Sequence, residues 1–219
     1  MPRGRFTVGA LRTVLTALSR SIKRRRWKNN QRGTVVRRDW LLAFGLVALD
    51  QLSKILVKGF RIGAFVHHGM VPGQSIPILG EWVRITFVEN PGIAFGLPVG
   101  GAKVLLTLFS FAVSMMLGWY LRHLGGVPFR ARLGVIFLFA GAMGNFIDRA
   151  FYGVLYGEAP LLHGQVVDFI DVEFPDFTLF GRVYTRWPTF NIADSCITLG
   201  ILLTLLFHRY LPSVRQLRR

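Results

Sequence analysis

The 219-residue chain has one cysteine, Cys196, so it cannot close an internal disulfide, and a disulfide-stapled scaffold is excluded. Cys196 lies in an apolar run and reads as a small packing residue. Acidic residues are also scarce: 11 Asp and Glu stand against 27 Lys and Arg, a formal charge of +16. None of the five histidines (His67, His68, His123, His163, His208) falls in a His-Glu-x-x-His pattern, which removes the common helical zinc-peptidase motif; His67-His68 reads as a solvated loop pair. There is no internal repeat, and no low-complexity tract beyond a basic start. A soluble domain of this length carries more charge and shorter apolar runs than are present here.

What the chain does have is long apolar blocks. With 52% hydrophobic residues, it offers four segments near the ~20 residues that a spanning helix needs. They run over about 40–57, 102–124, 133–154 and 190–211. Basic residues flank them unevenly. Arg37 and Arg38 precede the first, Arg122, Arg130 and Arg132 lie between the second and third, and Arg209, Arg215, Arg218 and Arg219 follow the fourth. Placing these residues inside puts both termini in the cytoplasm and two stretches outside, 58–101 and 155–189.

The ends and the outer stretches complete the organisation. From Met1 to Arg38 there are 12 Lys or Arg and no acid. Leu11, Val14, Leu15, Leu18 and Ile22 recur there at helical spacing, as in a helix lying on an anionic inner leaflet; an untidy basic tail fits equally well, and a transit peptide shares this composition. Nucleic acid is the weaker partner for the arm, which leads directly into a span. The domain plan is therefore a basic arm over 1–38, a membrane domain over 39–212 and a basic tail over 213–219. In the first outer stretch, Ile76 to Val88 mixes β-branched and aromatic residues with Pro77, Gly80 and Glu81, the pattern of a surface hairpin. The second outer stretch, with Asp168, Asp171, Glu173 and Asp176 followed by aromatic, Pro-containing sequence, reads as irregular and long enough to hold a lid.

Charge inside a span is costly and is usually kept for function. Asp50, Asp148 and Asp194 fall within the predicted spans, and the orientation sets all three in the outer half; Asp168 lies just beyond the third span. Asp50 and Lys54 are four apart and share a helix face. Asn145, Asp148 and Arg149 cluster similarly, as do Asn191 and Asp194. For Asp50 with Lys54, and Asp148 with Arg149, ion pairing across the bundle accounts for the sequence at least as well as catalysis does. Asp168 and Asp194 have no cation beside them in sequence. Two such carboxyls brought together share one proton. The ionised partner then takes a proton from water while the protonated one polarises a scissile carbonyl, and the order of these roles is open at this level.

Five blocks carry a resemblance to a known family. They are Asp50-Gln51-Leu52-Ser53-Lys54, Asn90-Pro91-Gly92-Ile93-Ala94-Phe95-Gly96, Gly144-Asn145-Phe146-Ile147-Asp148-Arg149, Val166-Val167-Asp168-Phe169-Ile170 and Phe190-Asn191-Ile192-Ala193-Asp194-Ser195. In this order, over about 40–211, the chain resembles the lipoprotein signal peptidases, also called signal peptidase II. The resemblance implies an α-helical membrane protein: a four-helix bundle with a small extracytoplasmic β element, in the bacterial inner membrane, its site facing the outer leaflet. It implies an aspartic endopeptidase that uses no cofactor or metal and cuts prolipoproteins just before a lipobox cysteine already carrying diacylglycerol. It assigns catalysis to Asp168 and Asp194. Asp50, Lys54, Asn90, Asn145, Asp148, Arg149 and Asn191 would shape the site or hold substrate. The interval between Asp148 and Asp168 is longer than the family's pattern, the additional stretch being roughly Leu155 to His163.

Two other readings compete. A small ion-coupled carrier also uses intramembrane Asp, Asn and Arg, but it normally needs polar groups through the full depth, and the inner halves (Phe111–Leu117, Ile201–Phe207) are apolar. A partner that keeps the fold without activity would have little use for an intact Asp168 and Asp194. A serine–lysine peptidase built on Ser53-Lys54 fails because sequence neighbours point to different helix faces.

Overall fold

A computed structural model describes residues 37–92, 103–179 and 182–217. The basic arm before residue 37 and the Ile93-to-Gly96 part of the second block lie outside the described residues.

Helix α1, Arg37–Lys58, leads the membrane domain. Its first turn carries Asp39 and its last Lys58, charges that complement the helix dipole at each end. Gly59 ends it with φ +92°, and a Cβ there would lie 2.6 Å from the His68 carbonyl oxygen, so only glycine fits the turn. Strands β1 (Phe60–Ile62) and β2 (Phe65–His67) form a small antiparallel pair. Strand β3 (Ser75–Leu79) then turns at Gly80 into β4 (Val83–Asn90), which confirms the expected hairpin. Helix α2 is Lys103–Arg122.

Helix α3, Phe129–Ile147, is continued by a wider turn at Asp148–Tyr152 and a short helical stretch to Leu155. It is the central post: Ala131, Val135, Ile136, Phe139 and Ala140 are buried on it, and α1, α2 and α4 (Ile192–Leu206) all pack against it. Among the described residues, α1, α2 and Phe129–Leu155 are long and apolar enough to cross a membrane. Helix α4 is shorter than the predicted 190–211 segment. It starts at a capping box, with Asn191 Oδ1 accepting from Asp194 N (2.9 Å) and Asp194 Oδ2 accepting from Asn191 N (3.3 Å). At Phe207 it gives way to a tight turn, His208–Tyr210.

The second outer stretch is not irregular. Strand β5 covers Val166–Leu179 and β6 Arg182–Arg186, giving an antiparallel sheet in the order β3-β4-β5-β6. Sequence reading was misled by its acids and prolines. Asp171 is paired inside the sheet: Arg186 Nε donates to its Oδ1 (2.6 Å) and Thr86 Oγ1 to its Oδ2 (2.7 Å), so an apparently solvent-seeking residue ties three strands. Arg132 also differs from expectation. It is not a free loop cation but is buried against Asp39, Nε to Oδ2 at 2.9 Å.

Candidate active site

The polar residues of α1 and α3 form a buried ionic platform. The Lys54 ammonium, with no exposed side-chain surface, lies 2.8 Å from Asp50 Oδ2 and 2.7 Å from Asp148 Oδ2, and it donates to Asn145 Oδ1 at 3.1 Å. Buried charge is tolerated only when its remaining donors and acceptors are satisfied, and here they are. Ala193 N donates to Asp50 Oδ1 (2.8 Å), fixing the start of α4 on α1. Gln51 Nε2 donates to Asp148 Oδ1 (2.8 Å), and Gln51 Oε1 accepts from Tyr152 OH (3.1 Å). Gly144 makes room for the platform: a Cβ there would lie 2.5 Å from Asp50 Oδ2. Asp148 therefore takes its cation from Lys54 on another helix, not from Arg149, its sequence neighbour. Successive residues diverge around the helix, whereas Asp148 points across to α1.

Two carboxyls stand on this platform. Asn191, the cap of α4, donates its side-chain Nδ2–H to Asp168 Oδ1 at 2.6 Å, while its backbone N–H donates to Asp194 Oδ2 at 3.3 Å. One residue thus holds both. Asn145 Nδ2 donates to Asp194 Oδ1 (2.7 Å), and Asn90 Nδ2, at the end of β4, to Asp168 Oδ2 (3.0 Å). Strand β5 delivers Asp168 through its register with β4, where Val88 faces Asp168 and Asn90 faces Val166. Arg149 stands on the turn after α3, close enough for the charges of Asp148, Asp194 and Asp168 to act on it; its Nη1 donates weakly to the Asn145 carbonyl (3.4 Å).

A model of the Signal peptidase (SPase) II family matches residues 42–209. The lipoprotein signal peptidase of Chlorobaculum tepidum is 34% identical over 174 residues, 77% of this chain and 92% of that protein. That of Leptospira biflexa is 37% identical over 175 residues, 75% of this chain and 84% of that protein. A solved structure described as a bacterial membrane enzyme, at 2.3 Å resolution, is 28% identical with a TM-score of 0.57; the match covers 78% of this chain and 87% of that one. The chain belongs to the signal peptidase II family. Membership makes it a hydrolase of the protease class, concerned with lipoprotein processing, and the apolar helices fit a membrane enzyme.

Within this family member, the two carboxyls differ in setting. Asp168 is 2% exposed. Burial, reinforced by the charge of Asp194, pushes its carboxyl up to about 7, against the opposing pull of the Asn90 and Asn191 hydrogen bonds. A carboxyl titrating there beside a second carboxyl is the arrangement in which two acids hold one proton. All nine residues singled out in the sequence converge: Asp50, Lys54, Asn145 and Asp148 in the platform, and Asn90, Arg149, Asn191, Asp168 and Asp194 around the carboxyl pair. Sequence reasoning passed over Gln51, Gly144 and Tyr152. Gln51 was visible inside the first block, but its partner, Tyr152, is 101 residues away, and nothing local announces that contact.

Proposed function

We propose that this protein removes the signal peptide from diacylglyceryl-modified prolipoproteins, cutting just before the lipidated lipobox cysteine, with Asp168 and Asp194 as an aspartic dyad. The observation that carries the reading is that Asn191 binds both carboxyls at once, side chain to one and backbone to the other. Below about pH 7 the pair holds a single proton. The ionised member accepts a proton from a water between them as that water attacks the scissile carbonyl, while the protonated member donates to the carbonyl oxygen; on collapse, the member that took the water's proton passes it to the leaving amine and the other regains its proton from the tetrahedral hydroxyl. Arg149, on which the charges of both carboxyls act, is positioned to receive the developing oxyanion or a substrate carbonyl. The platform keeps Asn145 and α4 from shifting as charge moves.

The protein has four spans with both termini in the cytoplasm, the fourth built on the shorter α4, in the inner membrane of a bacterial cell. The basic arm over 1–38 lies on the anionic inner leaflet, 39–212 forms the peptidase domain and 213–219 a basic tail. The dyad lies at the outer leaflet, where a diacylglyceryl anchor holds the scissile bond near the headgroups. Two observations support this arrangement: the dyad sits where α1 and α3 end and α4 begins, and the β sheet adjoins it.

The test is cleavage by purified protein in detergent of a diacylglyceryl prolipoprotein, repeated with Asp168→Asn and Asp194→Asn. The expected result is a cut directly before the lipidated cysteine that either substitution abolishes. An unmutated protein that leaves this substrate intact overturns the reading.

A further inference from the structure

Lys58, the last residue of α1, lies outside the platform and outside the dyad, yet its side chain is only 5% exposed. It donates to Glu89 Oε1 on β4, and to both carboxylate oxygens of Glu158, at 2.7 and 2.8 Å. Its ammonium also lies 4.5 Å from the centre of the Tyr156 ring and 5.9 Å from that of Phe87. Glu158 and Tyr156 belong to the additional stretch between Asp148 and Asp168. That stretch closes on its own base: Leu162 N donates to the Ala150 carbonyl (3.0 Å) and Gly164 N to the Arg149 carbonyl (2.9 Å). It is also tied to its neighbours, by Tyr156 OH to the Gly59 carbonyl (2.8 Å) and Thr107 Oγ1 to the Leu162 carbonyl (3.0 Å). It thus spans α1, α2 and the turn that carries Arg149.

The place of Glu89 near the end of β4 explains what such a tie would do. Strand β4 pairs with β3 only up to Thr86, with Phe87 bonded to Gln74 and Gly73 just beyond; past that point, among the described residues, β5 is its only strand partner. Glu89 and Asn90 lie in this singly paired end, and Asn90 reaches Asp168. We propose that Lys58 is a positioning residue for the dyad, joining Glu89 to Glu158 so that the end of β4 is clamped against the additional stretch and Asn90 is held on Asp168. The inference rests on the dyad reading above. The groups facing Asp168 are Asn90 from β4, Asn191 and Asp194 from α4, Lys54 from α1 and Arg149 from the turn after α3. Of these, Asn90 stands on the strand end that the clamp holds. Its hydrogen bond favours the ionised carboxyl, so loosening it lets the pair keep its proton to higher pH.

The test uses the full-length protein in detergent with the diacylglyceryl prolipoprotein. Lys58→Met should lower kcat about tenfold with KM within about twofold, and should move the alkaline limb of the pH–rate profile up by about half a pH unit. Lys58→Arg should restore both. Glu158→Gln, at a side chain 44% exposed and therefore safe for folding, should move them the same way by less. Combined with Lys58→Met it should add nothing, because both break one clamp. Amide hydrogen exchange over residues 83–90 should quicken in Lys58→Met and Glu158→Gln, a readout that needs no substrate. Unchanged exchange, or a folded Lys58→Met protein with wild-type kcat and an unmoved alkaline limb, overturns the clamp. Failure of the unmutated protein to cleave overturns the peptidase reading instead, and the exchange data still decide the clamp.

Discussion

The Nδ2 of Asn191 lies 2.6 Å from Asp168 Oδ1, although the two residues are 23 positions apart and belong to different elements. The same asparagine caps α4 and accepts the Asp194 N–H at 2.9 Å. A helix-capping device has therefore been placed so that its spare donor orients a carboxyl from a strand. Capping and site assembly cannot be separated at this position.

Asn191→Ala should for that reason lose twice. Loss of the cap costs about 1 kcal/mol of stability, read as a lower unfolding temperature in detergent. Loss of the Asp168 hydrogen bond should lower kcat by at least about tenfold with little change in KM if, as proposed, the bond aligns a reacting group and does not hold substrate. Asn191→Ser keeps a capping oxygen but not the reach to Asp168. It should recover the unfolding temperature and not the rate.

The raised titration of Asp168 sets the pH dependence. With its carboxyl pushed up to about 7, the dyad keeps one proton below that pH and loses it above, so cleavage should fall on the alkaline side of about pH 7. Stability follows the same group. Between the ordinary value of 3.8 and about 7, the folded state binds more protons at this site than the unfolded chain does, so its contribution to stability declines as pH rises through that window. Asp168→Asn removes this dependence. Its unfolding temperature relative to the unmutated protein should rise from pH 4 to about pH 7 and level off above that, and a flat difference across the window would contradict the burial argument.

Lys54 is the only cation bonded to two fully buried carboxylates among the described residues. Lys54→Met leaves both uncompensated and should cost about 3–5 kcal/mol, enough to abolish folding of a marginal domain. Adding Asp148→Asn removes one of the stranded charges and should return part of the stability. Thermal unfolding of the single and double variants in the same detergent checks the order, with the double variant the more stable.

How much of this was legible in the sequence depends on range. The spacings of Asp50 with Lys54 and Asn191 with Asp194 lie within one helical turn, and the structure contains both contacts as expected. The spacing of Asp148 and Arg149 misled, because a carboxylate can choose a cation from another helix and adjacency in sequence carries no angular information. The hairpin over β3 and β4 was readable from Gly80, which takes the positive φ the turn requires. Strands β5 and β6 were not, because their polar residues are satisfied by partners on other strands. The pairing of Asp168 with Asp194 was favoured by their lack of adjacent cations and assigned by the family resemblance, but the contact of Asp168 with Asn191 was not readable, because β5 meets the start of α4 through a backbone bridge between Ile170 and Phe190, 20 residues apart.

The buried Asp39–Arg132 pair gives the contrasting case. It lies about 15 residues before Lys54 along α1, roughly 22 Å along the helix axis, and it touches nothing in the site. Arg132 Nη1 also donates to the Val127 carbonyl at 2.6 Å, so the pair fastens the start of α1 to the loop between α2 and α3. Arg132→Met strands the Asp39 carboxylate, which is fully buried, and should cost about 3–5 kcal/mol. At a temperature where the variant remains folded, kcat, KM and the alkaline limb should match the unmutated protein. A lowered kcat or a displaced limb in folded protein would mean that the far end of the bundle communicates with the dyad. Arg132→Met combined with Asp39→Asn should be more stable than Arg132→Met alone, because the amide leaves no net charge to bury.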